Sequence, residues 1–294
     1  MSCASCHQPA RAFTDGRDVA IGVTGQLHTR NTPTLTNVPY LKMFGWANPD
    51  AEPLELQLRR PMFGEKPVEM GALGHETPIL RHIESNSVYE KLFETAFAEK
   101  AGKISFETVG MAIAAFQRTL ASGRSAYDSF AAGKIGAMSV AARRGLKLFT
   151  SKRMKCDQCH IPPFFTDATR QAKFYNTGLY NVDGVGGLPG RDQGLFNETG
   201  KRRDIGKFRT PTLRNVQVTG PYMHDGSIKT LNEVIDHYAA GGRAELNGAA
   251  SPLRSGLIQG FRISKSERRE LLAFLMSLTD QSFLAAARFR TPFR

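Results

Sequence analysis

This sequence predicts a mainly α fold of two domains with long irregular loops, and three observations carry that reading. The clear hydrophobic periodicity is helical: from Phe106 to Leu120, apolar residues fall at 106, 109, 113, 116 and 120, which is one face of a helix. No strand-rich region appears. Gly, Pro, Asn and Asp gather instead at 46–74 and 161–222, where neither period holds. Finally, one five-residue pattern occurs twice, as Cys3-Ala4-Ser5-Cys6-His7 and Cys156-Asp157-Gln158-Cys159-His160. The copies lie about half of the 294-residue chain apart, so each half receives one. A chain of this length has room for two domains of ordinary size. The expected division is 1–130 and 131–294.

The elements follow in order. Residues 1–30 carry the first motif and then a Gly- and Thr-containing loop. Asn31-Thr32-Pro33-Thr34 is a breaker, and Trp46 to Gly74 reads as irregular loop. The helix of Phe106–Leu120 ends at Ser122-Gly123. Residues 122–137, with their glycines, are expected to form the inter-domain link. A helix over 139–150 leads into the second motif, and 161–222 is mostly loop. Thr230 followed by Glu233 is a capping box. The helix it opens has apolar positions 231, 234, 235 and 238, and Gly241-Gly242 stops it. A last helix is expected from about Ser266 to Leu278.

The repeated pattern is C-x-x-C-H, the attachment site of a c-type haem. Two thiols one turn apart form thioether bonds to the haem vinyl groups, and the adjacent histidine lies under the iron. All four cysteines of the chain sit in these motifs, which leaves none for a disulfide or a thiol nucleophile. The alternative is a zinc site of four cysteines. The 149 residues between Cys6 and Cys156 far exceed the spacing of a zinc ribbon, and a histidine follows each pair directly. Haem is attached to such proteins outside the cytoplasmic membrane, so the mature protein is expected to be exported. No leader precedes Cys3, and the reading therefore expects a trimmed chain or a misassigned start. No apolar run approaches the ~18 residues of a membrane span. The net charge is +12 with a pI of about 9.7. No Lys/Arg run of five or more and no nucleic-acid module accompanies it, so an anionic protein or membrane surface fits this charge better than a nucleic acid.

Further motifs resemble the bacterial di-haem cytochrome c peroxidase and MauG superfamily. They are CASCH with AFTDGR behind it, RNTPTLTNVPY, LELQ with PVEMG, FRTPTLRNV, and TGPYMHDGS with TLNEVIDHYAAGG. The resemblance spans nearly the whole chain. FGWANP, PMFGEKPVEMG and NTGLYNVDG look closer still to the MbnH branch. It implies two cytochrome c-like domains in the periplasm, each with one covalent haem c. It implies that hydrogen peroxide takes the haem pair to an Fe(IV) state at both irons, which oxidises aromatic residues of a partner. In the MbnH branch that residue is a tryptophan, which becomes kynurenine, on an exported protein of the MbnP kind.

The resemblance also implies residue roles. The peroxide haem is the first, with His7 proximal. Glu69 in PVEMG matches the distal glutamate and Gln57 in LELQ the distal glutamine. The spacing between them is two residues longer than in the family, which brings in Glu65 as a rival. His28 is read as a pocket or structural residue. The second haem has His160 proximal. Electron-accepting peroxidases place a methionine fourteen residues after the histidine of HDG; fourteen after His224 stands Tyr238, as in MauG-like proteins. A phenolate favours ferric and higher states, whereas a methionine suits electron transfer. Met223 and His237 are rival ligands, and His224 is expected to hydrogen-bond near this haem. Trp46, the one tryptophan, precedes Gln57 by eleven and matches the inter-haem bridge. One calcium ion is implied on Asn31, Thr219 and Pro221, oxygen donors that suit it.

Three functions remain in competition: a peroxide-dependent oxidase of a protein substrate, a detoxifying cytochrome c peroxidase fed by a small redox protein, and a di-haem electron carrier without catalysis.

Overall fold

Helices dominate the described residues, and those of ten or more residues begin where a side chain takes up a free N–H group. The structure, a computed structural model, describes residues 1–170, 173–243 and 249–290. The helices are α1 (Leu54–Gln57), α2 (Arg59–Phe63), α3 (Glu76–Glu84), α4 (Ser87–Ala96), α5 (Phe106–Arg118), α6 (Ala126–Ala131), α7 (Val140–Phe149), α8 (Phe196–Thr199), α9 (Leu231–Ala240), α10 (Lys265–Met276) and α11 (Gln281–Leu284). Two short strands, β1 (Phe174–Asn176) and β2 (Lys207–Arg209), pair antiparallel with Tyr175 opposite Phe208. Capping boxes open α5 at Ser105, α6 at Ser125, α9 at Thr230 and α10 at Ser264. Each such cap contributes about 1 kcal/mol. Gly241 takes φ +81 and closes α9, as the Gly241-Gly242 step predicts.

The expected helices near 106–120, 139–150, 230–240 and 266–278 are present. Two stretches differ. Residues 122–137 are more than a link: they hold α6, whose Tyr127 and Phe130 pack against the core of the second half. Ser125 and Asp128 cap this helix reciprocally, and Arg214 Nη1 donates to Asp128 Oδ2 at 2.6 Å. The Trp46–Gly74 stretch contains α1 and α2. These two are too short for their periodicity to show in the sequence.

The largest cluster gathers Phe149, Phe165, Ile235, Leu271, Phe274 and Leu278 from α7, the loop after the second motif, α9, α10 and the turn that follows α10. A second cluster joins the two ends of the chain, with Phe13 at 5.9 Å from Phe283 and 5.7 Å from Phe289 between ring centroids. Asp280 strengthens that closure by accepting from Gly123 N and Arg124 N at 3.1 and 2.9 Å. Helix α7 crosses α10 at Gly145, where an added Cβ would lie 2.0 Å from Glu270 O and 2.8 Å from Phe274 Cβ. Gly145→Ala is therefore expected to force the pair apart and cost about 1–3 kcal/mol of stability. Gly136→Ala, which meets no atom within 4 Å, should change little. Thermal unfolding of both variants checks this, and equal melting would refute the close crossing.

Candidate functional site

The two C-x-x-C-H motifs fold alike. Each cysteine pair winds into one 3-10 turn, Cys3–Ser5 or Cys156–Gln158. The following histidine donates its backbone N–H to the first cysteine's carbonyl at 2.9 Å, His7 to Cys3 and His160 to Cys156. Each imidazole Nδ1 then meets a carbonyl, Phe13 O at 2.8 Å and Phe165 O at 3.0 Å. A carbonyl can only accept, so Nδ1 carries the proton and Nε2 keeps its lone pair. That is the tautomer a metal requires. Both acceptor residues sit in the left-handed region, Phe13 at φ +64 and Phe165 at φ +53. Such a conformation costs a non-glycine residue roughly 1–2 kcal/mol. Its recurrence at both motifs ties the strain to aiming these carbonyls. Burial lowers the pKa of His7, and that of His160 falls to about 4, so both rings are neutral near pH 7. Burial also pushes the Cys156 thiol up to about 12 and Cys159 to about 11, which suppresses thiolate. Among the described residues no three His, Cys, Asp or Glu side chains converge to hold a metal ion.

A cavity of about 320 Å³ opens beside the second motif and reaches across to the first half of the chain. Cys156, Cys159 and His160 line it, and so do Tyr238, Met223, His224 and Trp46. Phe149, Val216, Ile235 and Leu275 form apolar wall. Among the described residues the Tyr238 hydroxyl has no hydrogen-bond partner. Burial raises its pKa, and the adjacent Cys159 and Cys156 add to this, so a phenolate here needs a cation beside it. His237 does not line the cavity: its Nδ1 accepts from Arg243 N at 3.0 Å. Arg209 lines it too, 5% exposed, with Nε on Gly45 O at 2.7 Å and Nη1 on Thr210 O at 3.2 Å. No carboxylate pairs with this buried guanidinium among the described residues. The Asp167 charge reaches it only beyond salt-bridge distance, so this buried cation is poorly compensated, and the propionates of a haem would supply a direct anion. Aimed imidazoles, flanking thiols, apolar walls and an unpaired arginine therefore fit a haem.

The first motif has its own surroundings. The pKa of Cys6 is raised by burial, with the charges of Asp15 and Glu69 adding, which puts Glu69 within electrostatic reach of this motif. Glu69 Oε1 lies 3.9 Å from His28 Nδ1, beyond a hydrogen bond, and burial raises the Glu69 carboxyl. The Glu69 carbonyl accepts from Val23 N at 2.7 Å, and Gly22 packs so tightly on Val68 O that a Cβ would lie 2.0 Å away. The 20–28 loop is thereby docked on the loop bearing Glu69. Glu65 is exposed. Gln57, on α1, has a buried Oε1 with no hydrogen-bond partner. Gly110 lets α5 approach α1, since a Cβ there would lie 2.5 Å from Glu55 O.

Trp46, Asn31 and His224 form a connected set between the halves. Trp46 Nε1 donates to Asn31 O at 2.7 Å, and Asn31 N donates to His224 O at 2.6 Å. Asn31 Nδ2 donates to Arg17 O at 2.7 Å, leaving Oδ1 as the end open to a cation. Thr219 and Pro221 line the same cavity as Asn31. His224 stacks on Phe208 at 3.7 Å, burial drops its pKa to about 4, and Arg30 lies over the Phe208 ring at 5.6 Å. Arg30 in turn holds Asp192 in a fork at 2.6 and 2.8 Å.

Sequence reasoning did not single out Arg209, the Arg30–Asp192 pair, or Tyr175, whose hydroxyl donates to Asp167 Oδ2 at 2.7 Å. No motif marks them: Arg30 finds Asp192 and Arg209 finds Gly45 across more than 160 residues, while Tyr175 meets Asp167 eight residues back. No described helix is long and apolar enough to cross a membrane.

Comparison with known proteins agrees with this arrangement. A sequence model of the family described as di-haem cytochrome c peroxidase matches residues 1–135. The methylamine utilization protein MauG of Methylorubrum extorquens is 34% identical over 95% of this chain and 72% of its own length. Cytochrome-c peroxidase IdrP1 of Denitromonas iodatirespirans is 32% identical over 94% of this chain and 76% of its own. The crystal structure of a MauG-like protein associated with microbial copper homeostasis superposes with a TM-score of 0.94 at 42% identity, covering 100% of this chain and 88% of that one.

Proposed function

Because this chain belongs to the di-haem cytochrome c peroxidase (MauG) family, we propose that it uses hydrogen peroxide to oxidise a tryptophan of an exported partner protein. The observation that carries this reading is Tyr238, which lines the cavity beside His160 at the position where an electron-accepting peroxidase has methionine. The 42% identity to a MauG-like protein associated with copper homeostasis supports the MbnH branch, and with it a partner of the MbnP kind. Two haems would be attached through Cys3 and Cys6 and through Cys156 and Cys159, and when bound they would supply the two-electron redox chemistry with peroxide.

The protein's own residues do the rest. His7 and His160 offer neutral Nε2 atoms, each fixed by its Nδ1–H. Glu69 would move the proton from one peroxide oxygen to the other, and Gln57, whose buried Oε1 has no hydrogen-bond partner among the described residues, would assist it. Tyr238 supplies a hard anionic oxygen that stabilises the oxidised state. Trp46, tied to His224 through Asn31, carries charge between the two centres. Asn31 Oδ1 and the carbonyls of Thr219 and Pro221 would hold a calcium ion that pins this junction. Arg209 would neutralise propionate charge. The two domains meet near residue 130, and the protein works in the periplasm.

The partner is oxidised at a distance, because a tryptophan side chain is too bulky to reach an enclosed iron. With a net charge of +12, the enzyme is expected to bind an acidic partner. Association should weaken with added salt, since exposed charges are screened within ~8 Å at physiological ionic strength. Stoichiometric peroxide added to the ferric protein, without reductant, should produce a near-infrared charge-resonance band. Its decay with the partner present should change the mass of one partner aromatic by units of oxygen or hydrogen. Rapid turnover that requires a reduced cytochrome or cupredoxin, with no protein modified, would assign the chain to peroxide detoxification instead.

A further inference from the structure

We propose that Tyr175 is an oxidisable residue of the second centre, giving up one electron while its phenol proton passes to Asp167. This rests on the peroxide reading above and extends it to a residue with no assigned role. Tyr175 sits in β1, held opposite Phe208 of β2, so its ring is fixed by a ladder rather than left in a loop. It lines the cavity with Cys159 and His160. Its hydroxyl donates to Asp167 Oδ2 at 2.7 Å. Asp167 is 3% exposed, and its other oxygen, Oδ1, is buried with no hydrogen-bond partner.

The charge balance favours this pair. Removing an electron from a phenol makes its O–H strongly acidic, and without a base the half-buried ring would hold a cation. Here the pair starts as neutral phenol and carboxylate, net −1. It ends as a neutral phenoxyl radical and a neutral carboxylic acid, net 0. The electron fills one of the two oxidising equivalents left by peroxide; the proton moves across one hydrogen bond; no charge is added to the interior. Burial already raises the Asp167 carboxyl, so taking the proton relieves a poorly solvated anion. The other cavity tyrosines lack this arrangement. Tyr222 donates to the Val216 carbonyl at 3.0 Å, which is no base, and Tyr238 has no such partner. Tyr180 does donate to a carboxylate, Asp225 at 2.6 Å, but it does not line the cavity.

The test is freeze-quench electron paramagnetic resonance of the peroxide-treated holoprotein, with ordinary and ring-deuterated tyrosine, alongside its optical spectrum. A radical signal that narrows on deuteration is expected in the parent protein and in Tyr180→Phe. It should be lost in Tyr175→Phe and in Asp167→Asn, whose amide cannot take the proton. Unchanged haem absorption and circular dichroism would show that the variants are folded. A tyrosyl signal that survives Tyr175→Phe or Asp167→Asn, or is absent from the parent while peroxide still changes the haem spectrum, overturns this inference alone. No optical response to peroxide in the parent overturns the peroxide reading and this inference with it.

Discussion

Tyr238→Phe is expected to abolish the near-infrared band formed with peroxide while both haems stay attached. The substitution removes one oxygen and keeps the ring. The hydroxyl has no hydrogen-bond partner among the described residues, and α9 is held by its cap at Thr230 and by Ile235 in the core, so the fold should be retained. What changes is an oxygen donor lining the cavity that His160 also lines. A phenolate stabilises ferric and higher states; its loss should raise the potential of the second haem and remove the partner for the first. Potentiometric titration and the ferric optical spectrum read both effects. An unchanged second-haem spectrum would sink Tyr238 as a ligand and turn attention to Met223, which also lines the cavity.

Much of this arrangement is legible in the sequence because its parts are local. A C-x-x-C-H motif is one turn of chain, a capping box spans four residues, and the stripe of α5 repeats within thirteen. What the sequence hides is assembled over long separations. Arg30 meets Asp192, and Phe208 stacks on His224 with Arg30 also near its ring; these contacts belong to the packed chain, not to any segment. The cap of α6 was written at Ser125 and Asp128, yet the glycines around it favoured the reading of a link. Helices α3 and α4 have apolar faces, but their packing partners lie on α5, including Val109 and Met111. His28 illustrates the limit at the site itself. Its distance from Glu69 depends on how the 20–28 loop docks at Val68, a contact made possible by the missing side chain of Gly22.

Glu69→Gln is expected to slow the reaction with peroxide by about 10²–10⁴-fold, the usual worth of a positioned proton-transfer group. At 1.36 kcal/mol per tenfold this is roughly 3–5 kcal/mol of barrier. The amide keeps the shape and the backbone bond from Val23 N, so loss of packing cannot produce an effect of that size. It removes the one property in question, the ability to accept a proton and return it. The pH profile separates this from a structural role. Burial raises the Glu69 carboxyl, so the carboxylate needed to take the first proton is lost at a higher pH than for an ordinary glutamate. The parent rate should therefore fall, as pH drops, earlier than a solvated carboxylate would dictate, and Glu69→Gln should lack that limb. Glu65→Gln is the decisive control. Glu65 is exposed and stands four residues before Glu69, where the two-residue difference in spacing leaves it as a rival. If Glu65→Gln slows the peroxide reaction and Glu69→Gln does not, the carboxylate has been placed wrongly and the docked 20–28 loop guards a different group.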